Sequence, residues 1–208
     1  MDRLRESVVR VARGTSERGL NRGTSGNVSA RVPGGMLVTP SALPYAEMEP
    51  EDLVVVGLDG AVLEGSRKPT TESPMHAAIY GARPDVHAVV HTHATFCTTL
   101  ATLHRDIPPL HYMVGAAGGS TIRCAPYATF GGRELAAHAV AALEGRTACL
   151  LANHGMIAVG PSPEAALDLA LEVEGLAELY WRALQVGEPV LLTGEQMAEA
   201  LEGFKDYR

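Results

Sequence analysis

The chain has little positive charge. It carries 17 basic against 24 acidic residues, a net charge of -7. This excludes nucleic acid or an anionic membrane as the main partner, since both need basic patches. Cysteine is scarce too. Cys97, Cys124 and Cys149 are odd in number, scattered and not in C-x-x-C pairs, so a disulfide framework is excluded and a reducing cytoplasm is expected. No apolar run approaches membrane-spanning length. The opening Met1-Asp2-Arg3-Leu4-Arg5-Glu6 lacks the apolar core of a signal peptide. No glycine-rich loop ends in Gly-Lys-Ser/Thr, so there is no Walker A motif, and there is no repeat, low-complexity tract or linker. An anionic small substrate would have to be held by backbone N–H groups, hydroxyls and a metal.

What is present is a globular chain. It has 208 residues, 46% hydrophobic and 20% charged, enough for one domain over 1–208 with a full core. Residues 2–18 read as an amphipathic helix with Leu4, Val8, Val11 and Ala12 on one face and Gly19 ending it. Residues 28–32 and 36–39 flank Pro33-Gly34-Gly35, and 53–56 and 61–63 flank Asp59-Gly60, two hairpin signatures. Ser73 as N-cap and Pro74 at the first helical position open a helix through Tyr80. A strand over 86–93 and a short helix near 94–103 follow, then an irregular strand-and-loop region over 111–125 and a helix from Gly131 to Leu143. A hairpin over 148–159, a long helix from Ser162 to about Val186 ended by Gly187, and a helix over 195–204 complete the chain. Hairpins interspersed with helices predict an α/β fold with a mainly antiparallel central sheet flanked by helices.

The most informative residues are His91-Thr92-His93 and the lone His154 in Asn153-His154-Gly155. Histidines at i and i+2 on a strand point to one face. His154 falls at the turn of the second apolar hairpin. Three neutral imidazoles suit zinc first, with manganese, cobalt and nickel as alternatives. Three protein ligands and one open position describe a catalytic rather than a structural site. An H-x-H pair by itself is as often packed or exposed as metal-bound, and His154 shifts that balance modestly. Other metal families do not fit. A cupin needs a Glu shortly after the pair, where Ala94-Thr95-Phe96-Cys97 has none. A metallo-β-lactamase-like site needs Asp-His where Thr95 and Phe96 stand, and an amidohydrolase barrel needs a longer chain. Cys97, four residues after His93, reads as a buried thiol rather than a fourth ligand.

Thr70-Thr71-Glu72 precedes a helix N-terminus, where free N–H groups and positive partial charge suit a phosphate or carboxylate. Taken alone it reads first as a routine capping segment with a solvated Glu. The Gly26-Asn27 and Thr39-Pro40-Ser41 loops are ordinary turns when taken singly. Together, and in order, these stretches resemble the class II, metal-dependent sugar-phosphate aldolases of the aldolase/epimerase/adducin-like family. The resemblance rests on the run Gly19 to Ser29, Gly35 to Pro40, Glu72 before a helix, Val89-Val90-His91-Thr92-His93, Ile107 to Met113, Cys124 to Gly131, and Asn153-His154-Gly155. Any one of these is weak; the ordered set is specific and spans nearly the whole chain.

The resemblance implies reversible cleavage of a ketose 1-phosphate to dihydroxyacetone phosphate and an aldehyde, with L-fuculose 1-phosphate (yielding L-lactaldehyde) as the first substrate to consider. It implies that His91, His93 and His154 bind zinc, with manganese or cobalt as alternatives. Glu72 matches the acid/base residue that also ligates the resting metal. Gly26, Asn27, Ser41, Thr70 and Thr71 match phosphate-binding positions, and Ala42 stands among them where the family carries glycine. Tyr112 matches a tyrosine that reaches a neighbouring subunit's site in a homotetramer, and Phe130 a wall of the aldehyde pocket. The chemistry accounts for these residue types. Cleavage leaves a carbanion beside a carbonyl, and a Lewis acid can take its charge without a lysine Schiff base; Lys68 and Lys205 are the only lysines.

Alanine restricts positive φ, so the loop at Ala42 is expected to differ locally. The family's C-terminal tail carries a tyrosine that helps close the pocket, to which Tyr207 corresponds. His76, His87, His104, His111 and His138 read as structural or surface residues. Rival readings stay within the fold. A 5-deoxyribulose-1-phosphate aldolase differs only in its aldehyde pocket. Pentulose-5-phosphate 4-epimerases carry Asp where this chain has Glu72, and adducin-like binding modules have lost the metal ligands that are all present here.

Overall fold

The computed structural model describes residues 1–204; Tyr207 and Lys205 lie outside the described residues. Eight strands form one sheet in the order β4-β3-β2-β1-β5-β8-β7-β6. They are β1 Asn27–Val32, β2 Gly35–Val38, β3 Val54–Gly57, β4 Val62–Glu64, β5 Ala88–Thr92, β6 Cys124–Ala125, β7 Ala148–Leu151 and β8 Gly155–Gly160. The helices are α1 Asp2–Glu17, α2 Ser73–Ala82, α3 Thr95–Thr102, α4 Arg133–Ala142, α5 Pro163–Val186 and α6 Gly194–Gly203. Among the described residues, no helix is long and apolar enough to cross a membrane.

Both faces of the inner strands are buried, while the edge strand β4 is exposed. Ala88 and Val90 of β5 join one core with Val8 and Val11 of α1, Leu100 of α3 and Val173 and Leu176 of α5. Val89 points the other way, into a second core with Met75 and Ile79 of α2 and Leu135 and Ala139 of α4. The alternation is the period of two that a strand imposes. Helical layers on both sides explain why the inner strands are continuous apolar runs rather than alternating ones.

The sheet is mixed, which corrects the expected mainly antiparallel sheet. Six neighbouring pairs are antiparallel: β1–β2, β2–β3, β3–β4, β7–β8, β1–β5 and β5–β8. The edge strand β6 pairs parallel with β7. A tight turn can join only antiparallel neighbours, and a parallel pair needs a crossover. Here α4 is that crossover, carrying the chain from β6 back to the start of β7. Residues 111–125, irregular in sequence, fall partly into short elements. These are a 3-10 segment, Tyr112–Ala117, and the two-residue strand β6.

Local corrections are small. The 86–93 strand is shorter, Ala88–Thr92, and leaves His93 just past its end. In α2, Ser73 is already helical and Glu72 occupies the capping position; the Ser73 hydroxyl donates to the Thr70 carbonyl at 2.7 Å instead of capping the helix. α5 starts as its sequence suggests, with the Ser162 side chain accepting from the Ala165 N–H.

Candidate active site

The start of β1, the end of β5, the β7–β8 turn and the N-terminus of α2 meet at one end of the sheet. The pairing registers put them there. Asn27 lies opposite His91 across β1 and β5. Thr92 lies opposite Met156 across β5 and β8, so the turn carrying His154 sits beside His93. Asn153 holds this turn in the left-handed region at φ 52, which asparagine tolerates better than most residues. At Gly155 any Cβ would run into the Thr92 carbonyl and approach both rings, 3.0 Å from His93 and 3.3 Å from His91. Glycine therefore lets the turn close on the histidines.

The three imidazoles form a compact cluster. Their centroids are 4.8, 5.0 and 5.1 Å apart, edge to face. One nitrogen from each lies within 4.8 Å of the others. His91 Nδ1–H donates to the Met156 carbonyl at 2.9 Å, which turns Nε2 inward, 3.2 Å from His93 Nε2, as the ring's one atom available to a metal. A backbone acceptor fixing the tautomer of a ligand is the usual arrangement around a metal. The His93 N–H donates to Asn21 Oδ1 at 2.9 Å, and the Asn21 amide is itself held by Thr15. Asn21 also explains Gly26, at φ 75, where a Cβ would collide with the Asn21 amide and the His91 carbonyl.

Glu72 completes the cluster. Its Oε2 lies 3.1 Å from His91 Nε2 and its Oε1 3.2 Å from His154 Nε2. The Asn27 amide donates to Oε2 at 2.9 Å. The residue is 6% exposed, yet among the described residues Oε1 has no hydrogen-bond partner. A buried carboxylate oxygen left without a partner is expensive. Three inward imidazole nitrogens and this orphaned oxygen are a donor set that fits a divalent cation. Burial pushes His93 and His154 down to about 4, with the His91 charge adding to the shift, so both are neutral at pH 7, as a metal ligand must be. Burial would raise the Glu72 carboxyl, but His91, His154 and Asn27 together hold it well below the usual carboxylate range. Burial likewise presses His91 down, and the Glu72 charge outweighs it and holds the ring above its usual value.

Beside the cluster lies a cleft of about 420 Å³ lined by Gly26, Asn27, Ser41, Ala42, Thr70, Thr71, Glu72, His93, His154 and Phe130. The cluster and the cleft thus bring together every site residue expected from the sequence except Tyr112; His91 belongs to the cluster but is fully buried and does not line the cleft. Tyr112 is 53% exposed and stacks on Phe204 at 6.3 Å; among the described residues it takes no part in the cleft lining. Ala42 takes φ 58. The loop keeps a left-handed residue there despite the missing glycine, at a cost in backbone strain. The Asn27 amide faces inward: its two donors go to Glu72 and Thr70.

Several residues were not anticipated. Tyr127 and Asn153 line the cleft, and Asn153 Oδ1 is 2.6 Å from His104 Nε2. Asn21 anchors His93. His76 is buried against Asn27; its spacing of four from Glu72 on a helix was the available signal. Cys97 is buried in the core, as expected of a packed thiol.

Residues 6–181 match the family model of the class II aldolase and adducin N-terminal domain. The chain belongs to this family. It is 53% identical over 204 residues to a 5-methylthioribulose-1-phosphate/5-deoxyribulose-1-phosphate aldolase of Rhodospirillum rubrum, covering 98% of this chain and 92% of the relative. It is 46% identical over 207 residues to the L-fuculose phosphate aldolase of Escherichia coli K12, covering 99% and 96%. A solved L-fuculose 1-phosphate aldolase superposes with a TM-score of 0.95 at 39% identity, covering 99% of this chain and 97% of that one. Class II aldolases depend on a metal, and the three-histidine cluster of this class II aldolase family member is placed to hold one.

Proposed function

We propose that this chain, as one domain over 1–208, catalyses the reversible aldol cleavage of a ketose 1-phosphate to dihydroxyacetone phosphate and an aldehyde. One observation carries the reading: a three-histidine cluster and a buried carboxylate with an unpartnered oxygen stand beside a cleft lined by the hydroxyl-bearing Ser41, Thr70 and Thr71. That cleft is large enough for a phosphorylated sugar.

In cleavage the C4 hydroxyl loses its proton, the C3–C4 bond breaks, and C4 becomes the aldehyde carbonyl. The electron pair passes to C3 and the C2 oxygen, and C3 then takes up a proton to give dihydroxyacetone phosphate. When held by His91, His93 and His154, a divalent cation, zinc in our reading, supplies the positive charge that stabilises this electron pair. Glu72 delivers the proton to C3 and removes it in the condensation direction. Gly26, Ser41, Thr70 and Thr71, with the left-handed turn at Ala42, grip the phosphate and orient the sugar. Asn27 supports Glu72 and Thr70 at the edge of that grip. In this reading Tyr112 serves a neighbouring subunit's site in a homotetramer, exchanging the C4 oxygen's proton there; its exposure on its own chain's surface supports that role. A phosphorylated sugar and buried free thiols fit a cytoplasmic enzyme.

On the aldehyde side, the aromatic Phe130 and Tyr127 line the cleft. They favour an aldehyde with an apolar tail, as in L-lactaldehyde from L-fuculose 1-phosphate. A 5-deoxy- or 5-methylthio-ribulose 1-phosphate is the second reading, favoured by the higher identity to the Rhodospirillum rubrum relative. The test is a side-by-side kinetic screen of these three ketose 1-phosphates with zinc-loaded protein, reading dihydroxyacetone phosphate release. The highest kcat/KM names the substrate. No release from any of them overturns the reaction.

A further inference from the structure

One face of β1 and one face of α2 form a buried polar seam between otherwise apolar layers. Asn27, Ser29 and Arg31 alternate along β1, while Glu72, His76 and Tyr80 recur every four residues at the start of and along α2. Two strand residues rise about 6.6 Å and four helix residues about 6.0 Å, so the two series stay in step. The contacts follow this register. The Asn27 amide touches Glu72 Oε2 at 2.9 Å and His76 Nε2 at 2.6 Å. Ser29 Oγ touches His76 Nδ1 at 2.6 Å and the Tyr80 hydroxyl at 2.8 Å. The Arg31 guanidinium lies over the Tyr80 ring at 4.8 Å and donates to the Tyr80 carbonyl at 2.8 Å. His76 and Ser29 are 0% exposed, and Tyr80 1%.

We propose that His76 is a positioning residue which, as the neutral ring with its proton on Nε2, locks the Asn27 amide with its NH2 toward Glu72 and so fixes the carboxylate that transfers the proton.

The donor and acceptor inventory dictates each direction. An ionised Glu72 can only accept, so the Asn27 nitrogen must face it and Oδ1 must face His76. His76 Nε2 must then donate. A neutral ring leaves Nδ1 bare, so the Ser29 hydroxyl donates to it and in turn accepts from the Tyr80 hydroxyl. Complete burial, which holds His76 down at about 3, agrees with a neutral ring. Reversing any link would set two acceptors or two donors against each other in the interior, at the cost of an unsatisfied buried group. Without His76 the Asn27 carbonyl loses its buried donor, and the amide is held only from its NH2 side by Glu72 and Thr70, so its place beside the carboxylate is less fixed. An apolar seam would fill the same space. What the polar seam adds is one permitted orientation of Glu72.

The proposal rests on Glu72 being the acid–base group, and its test separates the two ideas. In zinc-loaded protein with 15N-labelled histidine, the His76 ring, assigned by its loss in His76→Gln, should show a protonated Nε2 and a bare Nδ1 at pH 7. A proton on Nδ1, or on both nitrogens, overturns the proposal whatever the activity. His76→Leu should slow C3 proton exchange on dihydroxyacetone phosphate by about 10–100-fold, as for loss of a residue that orients a site ligand. Inhibition by inorganic phosphate should change by less than about threefold, since uniform binding is untouched. His76→Gln keeps one donor and one acceptor and should recover about tenfold of the loss. Exchange in His76→Leu within about twofold of wild type, or His76→Gln no better than a folded His76→Leu, also overturns it. If wild-type protein exchanges no proton at all, the reading of Glu72 fails, while the ring measurement still decides the hydrogen-bond chain.

Discussion

Replacing Ala42 by glycine removes a strain that can be sized from the backbone. Ala42 holds φ 58 in the loop after β2, and a left-handed residue with a Cβ costs about 1–2 kcal/mol. Glycine relieves this cost. It also frees the unfolded chain, which works against folding by about 0.4–1 kcal/mol. The methyl group is exposed, so little packing is lost. The net expectation is a stabilisation of about 0.5–1 kcal/mol. For a chain of this size that is a rise of about 1–4 °C in Tm. Urea unfolding of the Ala42→Gly variant should show a higher midpoint with an unchanged slope, because the surface exposed on unfolding is the same. The backbone path at Ser41 is unaltered, so phosphate inhibition should stay within about twofold of wild type. A midpoint equal to or below wild type would refute the reasoning, because the strain it relieves would then not exist.

Glu72→Gln keeps the shape of the buried carboxylate and should reduce C3 proton exchange by about 10²–10⁴-fold; exchange within about twofold of wild type would leave Glu72 as no more than a ligand. Chelation should abolish cleavage while leaving the far-UV circular dichroism spectrum intact, since both cores are built from apolar side chains and include none of the metal-binding residues; loss of the fold on chelation would make the metal structural. Mixed subunits of inactive Glu72→Gln and inactive Tyr112→Phe, under conditions that exchange protomers, should regain part of the activity; no recovery despite verified mixing places Tyr112 outside a shared site. The metal-free protein should lose stability as the pH falls below 6.5. His76 sits at about 3 when folded and 6.5 when free, so the unfolded state binds the extra proton and stability drops by about 1.4 kcal/mol per pH unit from this group. His93 and His154 act in the same direction down to about 4. The opposing contribution of His91 falls at higher pH, because its folded value is raised. An unfolding midpoint that rises between pH 6.5 and pH 5 contradicts this.

Local pattern was legible in the chain. Hairpin turns, helix starts and the H-x-H pair depend on neighbours within a few residues, where steric preference and side-chain periodicity act directly. The three histidines, Glu72 and the hydroxyls of the cleft were therefore visible as a set, helped by the family resemblance. The tertiary structure decided what depends on pairing between distant segments. The parallel β6–β7 edge follows from the α4 crossover, which no turn residue announces. The meeting of His154 with His91 follows from the register of β5 against β8. The inward turn of the Asn27 amide and the seam through His76 arise only once β1 and α2 are packed in step, 49 residues apart in the chain from Asn27 to His76. Burial converts an ordinary polar side chain into one with a single satisfiable orientation, and burial is a property of the packed layers rather than of any local run of residues.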